Sequence, residues 1–366
     1  MGRAHYPCMA KVLYSEGLGV IRPRPGGSMN LLHAAARVFP PLRRLHDSRN
    51  HLAAKLATAE AELNHAVRGS SPFSFYNSRL DAVATMQRHA VQSESRPGYL
   101  VNFLGVAIDP KFFPAILDGR AGQVEPIPIP ANWHADIAEW ASALRAVELA
   151  QKNKTKTFTM IELGCGWGCW MNNTGVAARR LGLKPTLIGI EGDPGHIEFA
   201  REACAANGFA PEQVELHHGV AGAKAGVALF PRQDKAGETW GLEPLFNPSA
   251  AALKAARASG DFDELPVIGL ETLAAGHKRI DLLHVDIQGG EADLIEDSLG
   301  FLNKSVAYVL VGTHSREIEG RLFQAFGAAG WMLEIERPAI LALTDKGPKV
   351  TVDGVQGWRN PKLSPE

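Results

Sequence analysis

The sequence predicts an α/β fold: a doubly wound, mainly parallel sheet, closed by an antiparallel hairpin and preceded by a helical N-terminal extension. Three observations carry that prediction. Beyond residue 157, short apolar runs of strand length alternate with helical stretches. A glycine-rich turn, Gly164-Cys165-Gly166-Trp167-Gly168, follows the first run directly. Two of the runs also carry a glutamate at their end, Glu162 as the last residue but one of the first and Glu191 directly after the second.

The chain has 366 residues, 45% hydrophobic and 21% charged, enough for two or three domains or for one α/β domain with a sizeable extension. A formal net charge of -1 excludes wholesale coating of nucleic acid, and no specific nucleic-acid partner is expected. The charge is nevertheless uneven, because residues 1–70 carry ten Lys and Arg against four acids. Residues 1–28 hold Pro, Gly and Arg without any period and read as a mobile basic arm, with Met29 as an alternative start. Arg22, Arg24, Arg37, Arg43 and Arg44 suit peripheral contact with an anionic surface. No apolar run approaches the 18 or so residues of a membrane span, and no leader ends in a cleavage site, so a cytoplasmic protein is expected. Cys8, Cys165, Cys169 and Cys204 form no C-x-x-C pair, which fits a reducing compartment.

Residues 29–130 read as the helical extension. Leu52, Leu56, Ala59, Leu63 and Ala66 alternate in steps of four and three along one seam. This helix either packs on its own domain or pairs two copies as a homodimer through residues 52–66. Gly69-Ser-Ser-Pro72 breaks it, and a second amphipathic run spans Tyr76 to Val91 before Arg96-Pro-Gly98. Glu125-Pro-Ile-Pro-Ile-Pro130 is an extended connector, since each proline fixes its own φ and restrains its predecessor. The main domain, 131–366, then opens with a helix for which Asn132 is the expected N-cap and Ile137, Trp140, Ala141, Leu144, Val147 and Leu149 the buried face.

Five runs follow as parallel strands: 158–163, 186–190, 214–217, 280–285 and 306–311. An insertion at 223–279 carries a helix over 249–258 and an extra strand over 266–270, and Trp331–Glu336 with Val350–Val352 reads as the closing hairpin.

Glycines at alternate positions let the backbone turn tightly and approach a ligand closely. A dinucleotide fingerprint would need glycine where Cys169 stands, and the Gly-Lys-Ser/Thr of a Walker loop is absent. The acidic-x-Gly-x-Gly-x-Gly segment instead resembles the cofactor loop of class I S-adenosylmethionine (SAM)-dependent methyltransferases, whose sheet is Rossmann-like. That resemblance implies SAM as cofactor, held at Gly164, Gly166 and Gly168. It places Glu162 against the amino-acid end, Glu191 on the ribose hydroxyls, and the backbone of Gly219, Val220 and Ala221 at the adenine.

Farther on, Asp286-Ile-Gln-Gly-Gly-Glu291 resembles the D-x-x-G-x-E signature of the FkbM methyltransferases, and Val309-Leu-Val-Gly-Thr-His-Ser315 matches the strand that the family closes with His. The likeness covers residues 158–337 and implies O-methylation of a sugar, glycan or polyketide hydroxyl, with His314, Asp286 and Glu291 as catalytic candidates. Asp286-Ile-Gln-Gly also lacks the Asn/Asp-Pro-Pro-aromatic of amino-methylating enzymes. His314 is the expected base, Asp286 its orienter or a contact to the acceptor, and Glu291 either joins them or stabilises the helix it opens. Trp133 and His134 are candidates for the acceptor pocket. No metal is assigned. A Mg-dependent catechol-type enzyme, holding its ion through Asp286, His284 and His314, is an alternative, as is a non-catalytic SAM-fold module in a larger assembly.

Overall fold

The computed structural model describes Leu52, Lys55 and residues 71–237 and 239–365. The basic arm, the alternative start at Met29 and the 52–66 seam lie outside the described residues, Leu52 and Lys55 apart, and so does Glu238 in the insertion. Pro72–Ser74 form one helical turn at the end of a separate unit, residues 14–74. All that follows concerns the unit from Phe75 onward.

The main elements of this unit, in chain order, begin with β1 (Asn77–Ser78), α1 (Ala82–His89), α2 (Ile137–Gln151), β2 (Thr157–Leu163), α3 (Cys169–Arg180), β3 (Lys184–Glu191), α4 (Pro194–Ala206) and β4 (Val214–His218); between α1 and α2, where a helical extension is expected, lie a short antiparallel pairing of Leu100–Val101 with Ala107–Ile108 and one helical turn, Pro114–Leu117. Next come β5 (Val220–Gly222), β6 (Gly226–Pro231), β7 (Leu245–Phe246), α5 (Ala250–Ser259) and β8 (Phe262–Gly269). The chain closes with β9 (Leu282–Val285), α6 (Glu291–Ser305), β10 (Tyr308–Thr313), α7 (Arg316–Ala328), β11 (Met332–Arg337), β12 (Ile340–Thr344), β13 (Gly347–Val352) and β14 (Gly354–Arg359).

The central sheet runs β1-β11-β14-β10-β9-β2-β3-β4, with the five expected strands parallel and β14 antiparallel between β10 and β11. It is the Rossmann-like, mainly parallel sheet that the apolar runs predict. Strand β2 shows why they fold this way. Six of its seven residues are buried, and alternation sends Phe158 and Met160 to one face and Ile161 and Leu163 to the other. The first pair joins a core with Trp140, Leu144 and Val147 of α2 and Met171 of α3. The second joins Leu294 and Ile295 of α6 and Leu322 and Phe326 of α7. Each such side chain contributes about 1.5–3 kcal/mol on burial.

Register sets up the site. Leu163, Ile190, Val285 and Val311 lie side by side across four strands, so Gly164, Glu191, Asp286 and Gly312 emerge along one edge. The chain order reverses between β2 and β9, the place where open α/β sheets bind ligands.

Three local expectations are corrected. Helix α2 is capped by Asp136, not Asn132: the Asp136 carboxylate accepts from Ala138 N and Glu139 N, and Glu139 reciprocates on Asp136 N. Asn132 instead accepts from His134 N and Ala135 N in the preceding turn. The run from Tyr76 splits, since Asn77–Ser78 pair with β11 and the helix begins only after its cap, Asp81. The closing hairpin also differs, for β11 pairs with β14, while β12 and β13 form a separate two-stranded ribbon. Glycines 354 and 357 dilute the apolar signal of β14, and both are needed. A Cβ on Gly357 would lie 2.6 Å from Ser142 Oγ and from Tyr308 OH. The insertion supplies β6, β7, α5 and β8, and the second sheet runs β5-β8-β6-β7. Among the described residues no helix is long and apolar enough to cross a membrane.

One buried ion pair joins the ends of these elements. Arg337 donates to Asp136 at the cap of α2, while its other nitrogens reach the carbonyls of Pro338 and Asp353. Both charged side chains are at most 2% exposed. Arg337→Met strands the Asp136 charge and should lower unfolding free energy by about 3–5 kcal/mol in urea melts at pH 7, with part of the loss recovered in Arg337→Met/Asp136→Asn. A loss below 1 kcal/mol would remove this pair from the account of how α2 is held.

Candidate active site

Glycines 164, 166 and 168 all adopt left-handed φ, at 73°, 52° and 73°. A side chain at Gly164 is excluded by space as well, because its Cβ would lie 2.2 Å from the Asp286 carbonyl oxygen. Gly164 N and Cys165 N both donate to Ile190 O at 3.0 Å, which pins the loop to the end of β3.

The two acids hold this loop from either side. Glu162 accepts from Trp170 N at 3.1 Å and Met171 N at 2.9 Å, satisfying open donors in the first turn of α3. Its burial pushes the carboxyl up to about 8. Glu191 accepts from Gly166 N at 2.8 Å through one oxygen and from Asp193 N at 2.9 Å through the other. The pairing of an acid at each strand end with alternate glycines, visible in the sequence, is therefore also what folds the loop.

Loop and acids line a cavity of about 250 Å³. Glu162, Gly164, Gly166, Glu191, Val220 and Ala221 all contribute to its wall, whereas Gly168 sits one step back as the N-cap of α3. Trp133 and His134 line it too. A feature the sequence reading missed closes one side. Trp240, from the insertion, stacks on His196 with ring centroids 4.0 Å apart and 7° between planes, and on Phe113 at 5.1 Å and 12°. A Cβ on Gly166 would lie 2.8 Å from the Trp240 ring. The stack joins residues 113, 196 and 240 from three separate segments, so no local motif announces it.

Charge is distributed unevenly around this cavity. Glu139, Glu162, Glu191, Asp286 and Asp353 are in its wall, and among the described residues no Lys or Arg is. Its histidines are held neutral by burial: His134, in contact with Cys169 Sγ, falls to about 4, His284 to about 3, and His196 is lowered as well. Burial also pushes Glu139 up to about 8. The described cysteines, 165, 169 and 204, are free and buried.

At the far end, Asp286 and Asp353 reach the cavity with His314 and Glu291 behind them. His314 Nδ1 lies 2.8 Å from Glu291 Oε1, and Nε2 lies 3.3 Å from Asp286 Oδ1 and 4.0 Å from Asp353 Oδ2. These partners outweigh burial and raise the imidazole to about 10. Two expectations change here. An imidazolium has no lone pair for a proton, so His314 is not poised as a base. The group that orients it is Glu291 and not Asp286. Glu291 also accepts from Ile287 N and Gly289 N, holding the turn where Gln288 and Gly289 take positive φ. Asp286, with a side chain 43% exposed, is the group of this cluster that opens on the cavity; burial of its carboxyl in the wall, helped by the charges of Asp353 and Glu291 and opposed by His314, raises it to about 6. His284 stands apart from this cluster, beside Trp170 and 3.9 Å from Glu162.

The sheet order and the acid-braced loop define a class of protein, a Rossmann-like α/β protein whose ligand cavity opens where the parallel strands end. The chain belongs to a methyltransferase family: a protein of Jannaschia sp. (strain CCS1) described as "Putative methyltransferase" is 48% identical over 267 residues, 73% of this chain and 94% of that protein. No protein-family model matches the chain. Solved structures similar to it include the "METTL16 MTase domain (crystal form 2)", with TM-score 0.35 and 11% identity over 61% of this chain and 68% of that one. The N-terminal domain of human METTL16 in complex with SAH gives 0.33 and 11% over 62% and 71%. The precorrin-6y C5,15-methyltransferase from Geobacter metallireducens GS-15 gives 0.30 and 11% over 59% and 86%.

The neutral His134 has a consequence for acid stability. Folding depresses its pKa from 6.5 to about 4, so between those values the unfolded chain binds the proton more strongly, and stability present above pH 6.5 is lost as pH falls. His134→Gln should flatten the melting temperature against pH between 6.5 and 4 relative to wild type. Parallel curves would show that burial of this ring does not govern the acid limb.

Proposed function

We propose that the chain is a SAM-dependent O-methyltransferase of the FkbM kind, acting on a hydroxyl of a neutral sugar, glycan or polyketide-type acceptor. The observation that carries this reading is the cavity wall: it holds five acidic side chains, of which burial pushes Glu139 and Glu162 up to about 8, and, among the described residues, no Lys or Arg. SAM is cationic at both its sulfonium and its ammonium, and such a wall suits it; a phosphorylated or nucleic-acid acceptor would want the opposite charge. The loop stays close to the cavity because side chains at Gly164 and Gly166 would strike the Asp286 carbonyl and the Trp240 ring. Glu162 would meet the ammonium, Glu191 the ribose hydroxyls, and Val220 and Ala221 the adenine.

When bound, the sulfonium supplies an electrophilic methyl group. The protein's part is position and proton transfer. Asp286, open to the cavity and tuned to about 6, is the group placed to accept the hydroxyl proton. His314 then serves as its charged neighbour, fixed from behind by Glu291. Trp133 and Trp170 give the wall flat apolar faces of the kind on which sugar rings pack.

Two measurements test this reading. Calorimetry should show saturable SAM binding to wild type and at least tenfold weaker binding to Glu191→Ala, which loses a ligand partner and the brace on Gly166. With a panel of neutral glycans and polyols as acceptors, Asp286→Asn should lower turnover by about 10²–10⁴ with SAM affinity held within a few-fold. Absence of SAM binding to the folded wild-type chain would end the cofactor assignment, and full activity in Asp286→Asn would end the base assignment.

A further inference from the structure

We propose that His314, Asp286 and Asp353 form a site for one divalent transition ion, Mn²⁺ being the best match, at the acceptor end of the cavity. The carboxylate–imidazole geometry is that of a metal-ligating histidine with its supporting acid. Glu291 holds Nδ1 at 2.8 Å, which fixes the ring and turns Nε2 toward the two aspartates; the ion takes the place of the Nε2 proton, which is released to solvent on binding. From Nε2 the nearest aspartate oxygens are 3.3 Å and 4.0 Å away. In an octahedral shell with bonds of about 2.1 Å, adjacent ligand atoms are separated by about 3 Å, so the gap from Nε2 closes with side-chain movements of about 1 Å or less.

A second observation points the same way. Ligand atoms of Asp286, Glu291 and His314 all lie within 4.8 Å of one another, with Asp353 outside that group and reaching it only at His314 Nε2, and Glu291 Oε2 is buried with no hydrogen-bond partner. Glu291 is itself fully buried. A buried carboxylate oxygen without a partner is costly, and positive charge drawn into the cluster offsets that cost. Asp353 is held in place from outside, since Arg337 Nη2 donates to its carbonyl at 2.7 Å. Two carboxylates and one imidazole favour a borderline ion over Mg²⁺, which takes oxygen donors almost alone. Asp286 and Asp353 face the cavity, so coordination positions remain for a hydroxyl or water. Binding needs only these side chains; any part the ion plays in turnover rests on the transferase reading above.

The test uses the full chain, stripped with EDTA and returned to metal-free buffer. Titration with MnCl₂, followed by the loss of the free Mn²⁺ electron paramagnetic resonance signal, should show one ion per chain. Asp286→Asn, Asp353→Asn and His314→Gln should each weaken that binding at least tenfold, while Asp293→Asn, an exposed acid on the same α6, should not. Melting curves keep the test sound if a variant is unstable: Mn²⁺ should raise the melting temperature of wild type and Asp293→Asn and leave the three ligand variants unmoved. No Mn²⁺ bound by wild type, or binding that all four variants retain, overturns the proposal. SAM calorimetry in EDTA reads the cofactor site separately, so loss of one assignment is not mistaken for loss of the other.

Discussion

The site depends on how closely two backbones approach. Gly164, where β2 turns into the loop, and Asp286, where β9 ends, meet so tightly that no side chain fits at the first position. This contact sits at the reversal of strand order and makes one wall serve both halves of the cavity. On the loop side it fixes where donors and glutamates stand. On the other side it fixes the carbonyl of the residue whose carboxylate is the open acid.

Around that contact the protein has placed acids where it can least afford bare charge. Glu162 is almost fully buried, yet its two oxygens satisfy backbone donors at a helix start, which limits the cost of keeping it there. Histidines in the same wall remain neutral. The result is a cavity that lacks fixed cations of its own among the described residues. At the far end the balance inverts, with one imidazole held among three acids and drawn to the charged form. Two electrostatic regimes thus share a single cavity.

Much of this could be read from the chain alone, because it is local. The five parallel strands are continuous apolar runs, and the loop with Glu162 and Glu191 is written at strand ends. What escaped was assembled from distance. Strand β14 hides behind Gly354 and Gly357, which exist to let Thr313, Ser142 and Tyr308 come close. The Phe113–Trp240–His196 stack joins three segments that share no motif. Asp353 follows a ribbon that pairs only with itself, and nothing nearby marks it as part of the wall. The role given to His314 changed for the same reason: a histidine at a strand tip looks like a base until its neighbours are counted. Asp136 took the cap from Asn132 because it also answers Arg337, some 200 positions later.

The second sheet has a consequence of another kind. It enters the chain between β4 and β9, meets the cavity through β5, Phe230 and Trp240, and supplies no strand to the central sheet. Its length and outer surface can therefore drift without disturbing the register that aligns Gly164, Glu191 and Asp286. The shape presented to incoming molecules is thus set in part by a segment that the central sheet does not need for its own register.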